Sequence, residues 1–233
     1  MNQTTLLEDH LAWDERLRQL PDTLWITVIY FFFLAGAAWN ALGVLQGVMA
    51  PMTPFVLVGS AILAVWLTYQ WSFRMLRIFA VIFVATWAIE ALGVATSFPF
   101  GEYVYTEALG WKVLGVSIVI PFAWLLVIAV SDSVVGHFFG RVSCVLGALF
   151  ATFFDFFLEF AADALDLWHW NARFPPVSNY VSWFVISLAS LLFLRDHAER
   201  RIRLRVPAHL YIAMMLYFAI TFFGIKSGLL RIG

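Results

Sequence analysis

Charge is scarce in this chain. Only 12% of its 233 residues are Asp, Glu, Lys or Arg, while 63% are hydrophobic; an ordinary soluble domain carries roughly a quarter charged residues. So few charges do not cover the surface of a water-soluble fold. The formal net charge is −1 and the 14 Lys and Arg are scattered, so no basic track follows a phosphate backbone and nucleic-acid binding is excluded. Cys144 is the only cysteine, which rules out an intrachain disulfide and a thiolate metal cluster within one chain, and leaves the compartment unread. The opening, Met1 to Pro21, carries Glu8, Asp9, Asp14 and Glu15 before any apolar run, unlike the positive start and short apolar core of a cleaved signal. The first hydrophobic helix is therefore expected to remain in the mature protein.

What the chain has is apolar length. Runs extend over Leu24–Leu45, Pro54–Trp71, Leu76–Thr96, Val113–Val130, Val142–Leu165, Val181–Leu194 and Ala208–Ile225. Most approach the roughly 20 residues that cross a bilayer, and interfacial Tyr and Trp help the shorter ones. The reading is an all-α polytopic transmembrane bundle of about seven spans, with residues 22–233 as one transmembrane domain. Residues 1–21 form a separate segment in which Leu6, Leu7, Leu11, Leu17 and Leu20 fall near helical spacing among charges; an amphipathic helix lying on the membrane and a frayed tail both fit. No internal repeat is evident.

Seven crossings place Arg16, Arg18, Arg74, Arg77, Arg141, Arg195, Arg200, Arg201, Arg203 and Arg205 on one side, and Lys112, Arg173, Lys226 and Arg231 on the other. Because Lys and Arg accumulate in cytoplasmic loops, the N-terminus is expected inside and the C-terminus outside, in a multi-pass protein of the inner cell membrane. The Arg195–Arg205 cluster reads first as an orientation signal, and second as a lipid-headgroup site.

Ionisable residues inside a span are costly and mark function. Here they are Glu90 in the third run and Asp155, Glu159 and Asp163 in the fifth. The last three, spaced i, i+4, i+8, share one helix face at about 100° per residue, and Asp166 returns close to the direction of Asp155. The loops that follow these two runs open on the same outer side. One contains Phe98-Pro99-Phe100-Gly101-Glu102-Tyr103-Val104-Tyr105, the other Trp168-His169-Trp170, Phe174-Pro175-Pro176 and Asn179. A single aromatic and acidic pocket gathering them is the expectation.

A carboxyl group buried without a counter-charge keeps its proton, because desolvation penalises the charged form. Such a group is a general acid. Protonating a trisubstituted alkene makes a tertiary carbocation, which Trp and Tyr faces stabilise, and a second, ionised carboxylate then delivers water. Against this, Glu90 and Asp155 also fit interhelical hydrogen bonding. Trp168, Trp170 and Trp183 fit an interfacial aromatic belt equally well. Pro99-Phe100-Gly101 and Pro175-Pro176 also fit plain turn chemistry. A lone His169 is weak evidence for a metal, and none is expected; His137 falls on the inner side.

Glu90-x-x-Gly93, Thr96, Pro99-Phe100-Gly101, Tyr103 and Tyr105 resemble the E-x-x-G…T-G-x-P-F-G-x-Y-x-Y signature of the carotenoid hydratase family of bacterial and archaeal carotenoid biosynthesis membrane proteins, among them bisanhydrobacterioruberin hydratases and carotenoid 1,2-hydratases. Pro121 with Trp124, Asp155, Trp168-x-Trp170, Pro176 and Asn179-Tyr180-x-x-Trp183-Phe184 continue the similarity, which runs from Glu90 to Phe184. It implies addition of water across a terminal prenyl-type double bond of an acyclic carotenoid, with no cofactor. It also implies Glu90, Asp155 and Glu159 as catalytic residues, and Pro99, Phe100, Tyr103, Tyr105, Trp124, Trp168, Trp170, Asn179 and Trp183 as the substrate site. The implied partners are a carotenoid or other long isoprenoid, the bilayer and further carotenoid-pathway enzymes. The chain departs from the pattern at Ser97 and Ser182, where the family usually has Gly, and at Glu159-Phe160, where Asp-Pro is common.

Other classes compete. A membrane prenyltransferase would hold Mg²⁺ on Asp155, Glu159 and Asp163, but wants Lys or Arg for a diphosphate, and the outer side offers mainly Arg173 and Lys112. A carotenoid cyclase would use the same proton-first chemistry without water. A retinal protein needs a lysine deep in the last helix, whereas Lys226 lies at its end, and a transporter would show paired broken helices.

Overall fold

The computed structural model describes residues 16–136, 140–197 and 203–227. Most of the N-terminal segment, His137, Arg200, Arg201 and Arg231 lie outside the described residues; of the interfacial segment, residues 16–19 are helical. The body is built from α1 (Asp22–Leu42), α2 (Gln46–Thr68), α3 (Phe73–Thr96), α4 (Ile120–Val134), α5 (Val142–Ala164), α6 (Val177–His197) and α7 (Arg205–Ser227). All but α4 are long and apolar enough to cross a membrane. The protein is an all-α polytopic helix bundle and a multi-pass membrane protein. Large apolar side chains such as Phe31, Phe55, Val84 and Phe223 stand exposed on its outside, where lipid is the solvent they need.

The fourth span corrects the sequence reading. A helix over Val113–Val130 is expected, but the helix starts at Ile120 and runs 15 residues, a length of about 22 Å. Lys112–Val113 (β2) and Val116–Ser117 (β3) pair as an antiparallel hairpin instead. Its two-residue loop, Leu114 and Gly115, has φ of 52° and 81°, the pair of left-handed residues that a tight hairpin turn requires. Pro121 at the start of α4 gives up no helical hydrogen bond, since the first N–H groups of a helix are unpaired anyway. An apolar run of this length therefore hides a turn that periodicity does not reveal.

The helices alternate in direction. Tyr30 Oη lies 3.1 Å from His209 Nδ1, and further along the same pair Asn40 Nδ2 donates to Tyr217 Oη at 2.9 Å, so α1 and α7 run parallel. Thr68 Oγ1 and Ser133 Oγ are 3.1 Å apart and Tyr69 Oη donates to Asp132 at 2.8 Å, which brings the C-terminal ends of α2 and α4 together. Lys226 pairs with Asp163 at 2.8 Å, joining the C-terminal ends of α5 and α7. Short as it is, α4 thus returns the chain to the opposite end, and α3 and α5 finish at the same end.

That shared end carries a small sheet absent from the sequence reading. Tyr103–Tyr105 (β1), after α3, pairs antiparallel with Trp168–Trp170 (β4), after α5, in the register Tyr103↔Trp170 and Tyr105↔Trp168. Thr106 adds hydrogen bonds to the carbonyls of Asp166 and Leu167. The sheet roofs the bundle.

At the end of α3, Ser97 takes the left-handed cap position with φ 62° and ψ 1°. This is the conformation helix ends reserve for glycine, and a Cβ there costs roughly 1 kcal/mol, which accounts for the glycine usual at this place in the family pattern. Ser97→Gly is expected to stabilise the protein by about 1 kcal/mol, read as a higher unfolding midpoint in detergent.

Candidate active site

Three carboxylates lie buried beneath the roof: Glu90 on α3, and Asp155 and Glu159 one turn apart on α5. Strand geometry decides what meets them. Side chains alternate across a strand, so Val104 and His169 are exposed while Tyr103, Tyr105, Trp168 and Trp170 point inward, polar tips first. Tyr103 Oη and Tyr105 Oη donate to Glu90 Oε2 at 2.5 and 2.8 Å. Trp168 Nε1 and Trp170 Nε1 donate to Glu159 Oε2 at 3.0 and 2.7 Å.

The walls complete the set. Trp124 of α4 donates its indole N–H to Glu90 Oε1 at 2.8 Å and stacks on Trp183 of α6, with ring centres 3.8 Å apart. The Asn179 amide bridges the two acids of α5, donating to Asp155 Oδ2 at 2.8 Å and to Glu159 Oε1 at 3.4 Å. Both oxygens of Glu90 and both of Glu159 therefore accept hydrogen bonds, all from neutral donors. Among the described residues Asp155 accepts one, on Oδ2, and its buried Oδ1 has no partner. Burial first, and then the adjacent Glu90 carboxylate, push the phenols of Tyr103 and Tyr105 above the ordinary tyrosine value, so both remain O–H donors at neutral pH.

The spacing of the Glu90-x-x-Gly93 pair has a steric reason. A Cβ on Gly93 would lie 2.6 Å from the Phe100 ring, so the missing side chain is what lets Phe100 tuck against α3 and bring Tyr103 over Glu90. Roof and helices are also tied by Ser178 Oγ to Phe100 O at 3.0 Å and Ser182 Oγ to Pro99 O at 3.1 Å. The Ser182 hydroxyl has one proton, which it shares between Pro99 O and the nearer Ser178 carbonyl of its own helix at 2.7 Å. Phe160, in place of the common Pro, packs on Phe156 and Phe222, and α5 continues to Ala164.

One cavity of about 420 Å³ is lined by Glu90, Asp155, Glu159, Phe100, Tyr103, Tyr105, Trp124, Trp168, Trp170, Asn179 and Trp183. Of the twelve residues expected to form the catalytic and substrate site, Pro99 is the one outside this lining; its carbonyl lies 3.1 Å from Ser182 Oγ. The acidic ladder divides: Asp163 is an exposed partner of Lys226, and Asp166 is an exposed partner of His169 at 2.6 Å. Among the described residues no group of three or more His, Cys, Asp or Glu is placed to hold a metal ion. Sequence reasoning missed the apolar side of the cavity, which comes from Gly36 and Trp39 on α1, Met49 and Met52 on α2, and Met214 and Tyr217 on α7. Nothing separates these residues in the sequence from other membrane-facing apolar ones.

Seven alternating helices around a buried, roofed carboxylate cavity define a polytopic membrane protein with an intramembrane polar site. A family profile described as carotenoid biosynthesis protein matches residues 51–230, and the chain belongs to that family. The match takes in α3 to α7 and nearly all of α2. No curated protein and no solved structure matches the chain.

Trp124→Phe keeps the stack on Trp183 but removes a donor from buried Glu90; it is expected to cost about 1–3 kcal/mol, measured by thermal unfolding in detergent. The raised tyrosines give a signed pH effect. The folded state resists ionising Tyr103 and Tyr105, so stability is full below about pH 10, where a tyrosine of the unfolded chain ionises, and falls above it. Replacing both tyrosines by Phe is expected to flatten that alkaline loss in a pH series of unfolding midpoints.

Proposed function

We propose that this member of the carotenoid biosynthesis family is a hydratase, adding water across a terminal trisubstituted double bond of an acyclic carotenoid without a cofactor. The observation that carries the reading is the uneven distribution of hydrogen bonds among the three acids. Both oxygens of Glu90 and of Glu159 accept hydrogen bonds, whereas Asp155, which lines the same cavity, has a buried Oδ1 with no partner among the described residues. A buried carboxyl oxygen with no donor to stabilise its charge is where a transferable proton belongs.

The steps balance. Asp155 gives its proton to the less substituted alkene carbon, leaving a tertiary cation among Tyr103, Tyr105, Trp168, Trp170 and the Trp124–Trp183 stack, whose π-faces favour positive charge. Water adds to the cationic carbon and releases a proton to Glu159. Glu159 then returns that proton to Asp155, one helix turn away on α5, while the Asn179 amide holds both carboxyls in place, and the net change is one water added. Glu90, held by three donors, is fixed in place at the wall of the same cavity. The Lys and Arg distribution supports a roofed end facing outward from the cell membrane, with the N-terminus inside. The diphosphate-transferase reading is weaker, since both Glu159 oxygens accept Trp or Asn donors, Asp163 pairs with Lys226 at the exposed rim, and Lys112 is engaged by Glu107 and the Tyr105 carbonyl.

Expression in a bacterial host that accumulates acyclic carotenoids is expected to yield a pigment heavier by one water; isolated membranes given preformed unlabelled pigment in D₂O are expected to place one non-exchangeable deuterium beside the carbinol carbon. Asp155→Asn is expected to lower hydration by about 10²–10⁴-fold with the protein still inserted; wild-type turnover in that variant removes Asp155 from the chemistry. A cyclised pigment of unchanged mass identifies a cyclase, and loss of activity on magnesium chelation identifies a transferase.

A further inference from the structure

The cavity has one side unlike the others. α1 packs along α7 and α2 along α4, but α1 and α2, although consecutive, touch little. Phe32 and Trp39 of α1 and Val48 and Met52 of α2 line the cavity and yet are 53%, 44%, 57% and 43% exposed. A side chain that both lines a cavity and faces the surrounding lipid marks where the two meet. Behind that line lies Gly36: a Cβ there would make ordinary van der Waals contact, 3.6 Å from Tyr217 Cε2 and 3.7 Å from Met49 Cε, so a longer side chain would have to displace these groups or project into the cavity. Pro51 and Pro54 sit within this stretch of α2 and remove two backbone N–H groups, so the carbonyls of Gly47 and Ala50 have no helical partner and that wall of the cavity is loosened.

Size makes an open side necessary. A cavity of about 420 Å³ encloses an end group, not a rigid polyene comparable in length to a hydrocarbon core of ~30 Å. We infer that the slot between α1 and α2 is a lateral portal, through which the reacting end of a long isoprenoid enters from the lipid while the rest of its chain stays in the bilayer. Gly36, Trp39, Met49 and Met52 are then specificity residues, reading the chain behind the double bond and not the double bond itself. This rests on an isoprenoid substrate, as proposed above, but not on hydration as the reaction.

The test separates the two. In full-length protein expressed in a pigment-accumulating host, a benzophenone amino acid is placed at Met52 or, as control, at exposed Val84 of α3, and illuminated membranes are examined for pigment bound covalently to the protein. Capture at Met52 and not at Val84 supports the portal, whether or not the pigment is hydrated; equal capture at both, or none at Met52 while the wild type still hydrates, overturns it. Capture at Met52 with no hydrated pigment from the wild type would instead sink the hydratase reading and leave the portal standing. In a second arm, Gly36→Leu is expected to lower conversion of the long pigment by about ten-fold or more and of a short isoprenoid with the same terminus far less, with Gly36→Ala close to wild type. An equal loss on both substrates overturns the portal.

Discussion

Three carboxylates buried in a helix bundle, with no lysine or arginine brought to them, need hydrogen-bond donors from somewhere, and the rest of this architecture follows from that need. An unsatisfied buried carboxylate costs several kcal/mol, more than a single helix contact returns. Tyr103, Tyr105 and Trp124 meet Glu90, and Trp168, Trp170 and Asn179 meet Glu159. Each of these groups is a neutral donor on an apolar body, so one side chain serves two ends: polar tips hold the acids, and ring faces make the cavity aromatic.

Supplying four of those donors from one small sheet constrains the fold. Strand pairing between β1 and β4 brings them together only if α3 and α5 end at the same side of the membrane, and this requires α4 to cross completely despite its 15 residues. The hairpin of β2 and β3 carries the chain from the roof down to the start of the short helix. Gly93 and Ser178 then set how Phe100 seats on the helices, the first by having no side chain where the ring packs, the second by bonding the Phe100 carbonyl. The spacing of the family pattern is thus the spacing needed to lay aromatic hydroxyls and indoles over acids one helix turn beneath.

The acids were legible because an ionisable residue inside an apolar run is conspicuous, and Glu90, Asp155 and Glu159 needed no structure to be noticed. The aromatic partners came from the ordered motif. Less visible was the division of the ladder, in which Asp163 and Asp166 go to exposed partners on the rim; helix periodicity puts all four acids close to one face and says nothing of depth. Strands three residues long lie below any periodicity test. The hairpin at Leu114-Gly115 was hidden by an apolar run that reads equally well as helix.

Apolar run lengths alone settled that this chain lives in lipid and that its segments are helices, because an isolated stretch in hydrocarbon must satisfy its own backbone through bonds between residues four apart, a purely local requirement. They had no means of settling which side chains would face one another. The union of the two loops, the orphan oxygen of Asp155, and the slot where α1 and α2 part all depend on contacts between segments distant in the chain. Lipid makes every outward apolar residue equally acceptable, so only packing distinguishes a cavity wall from a membrane-facing surface.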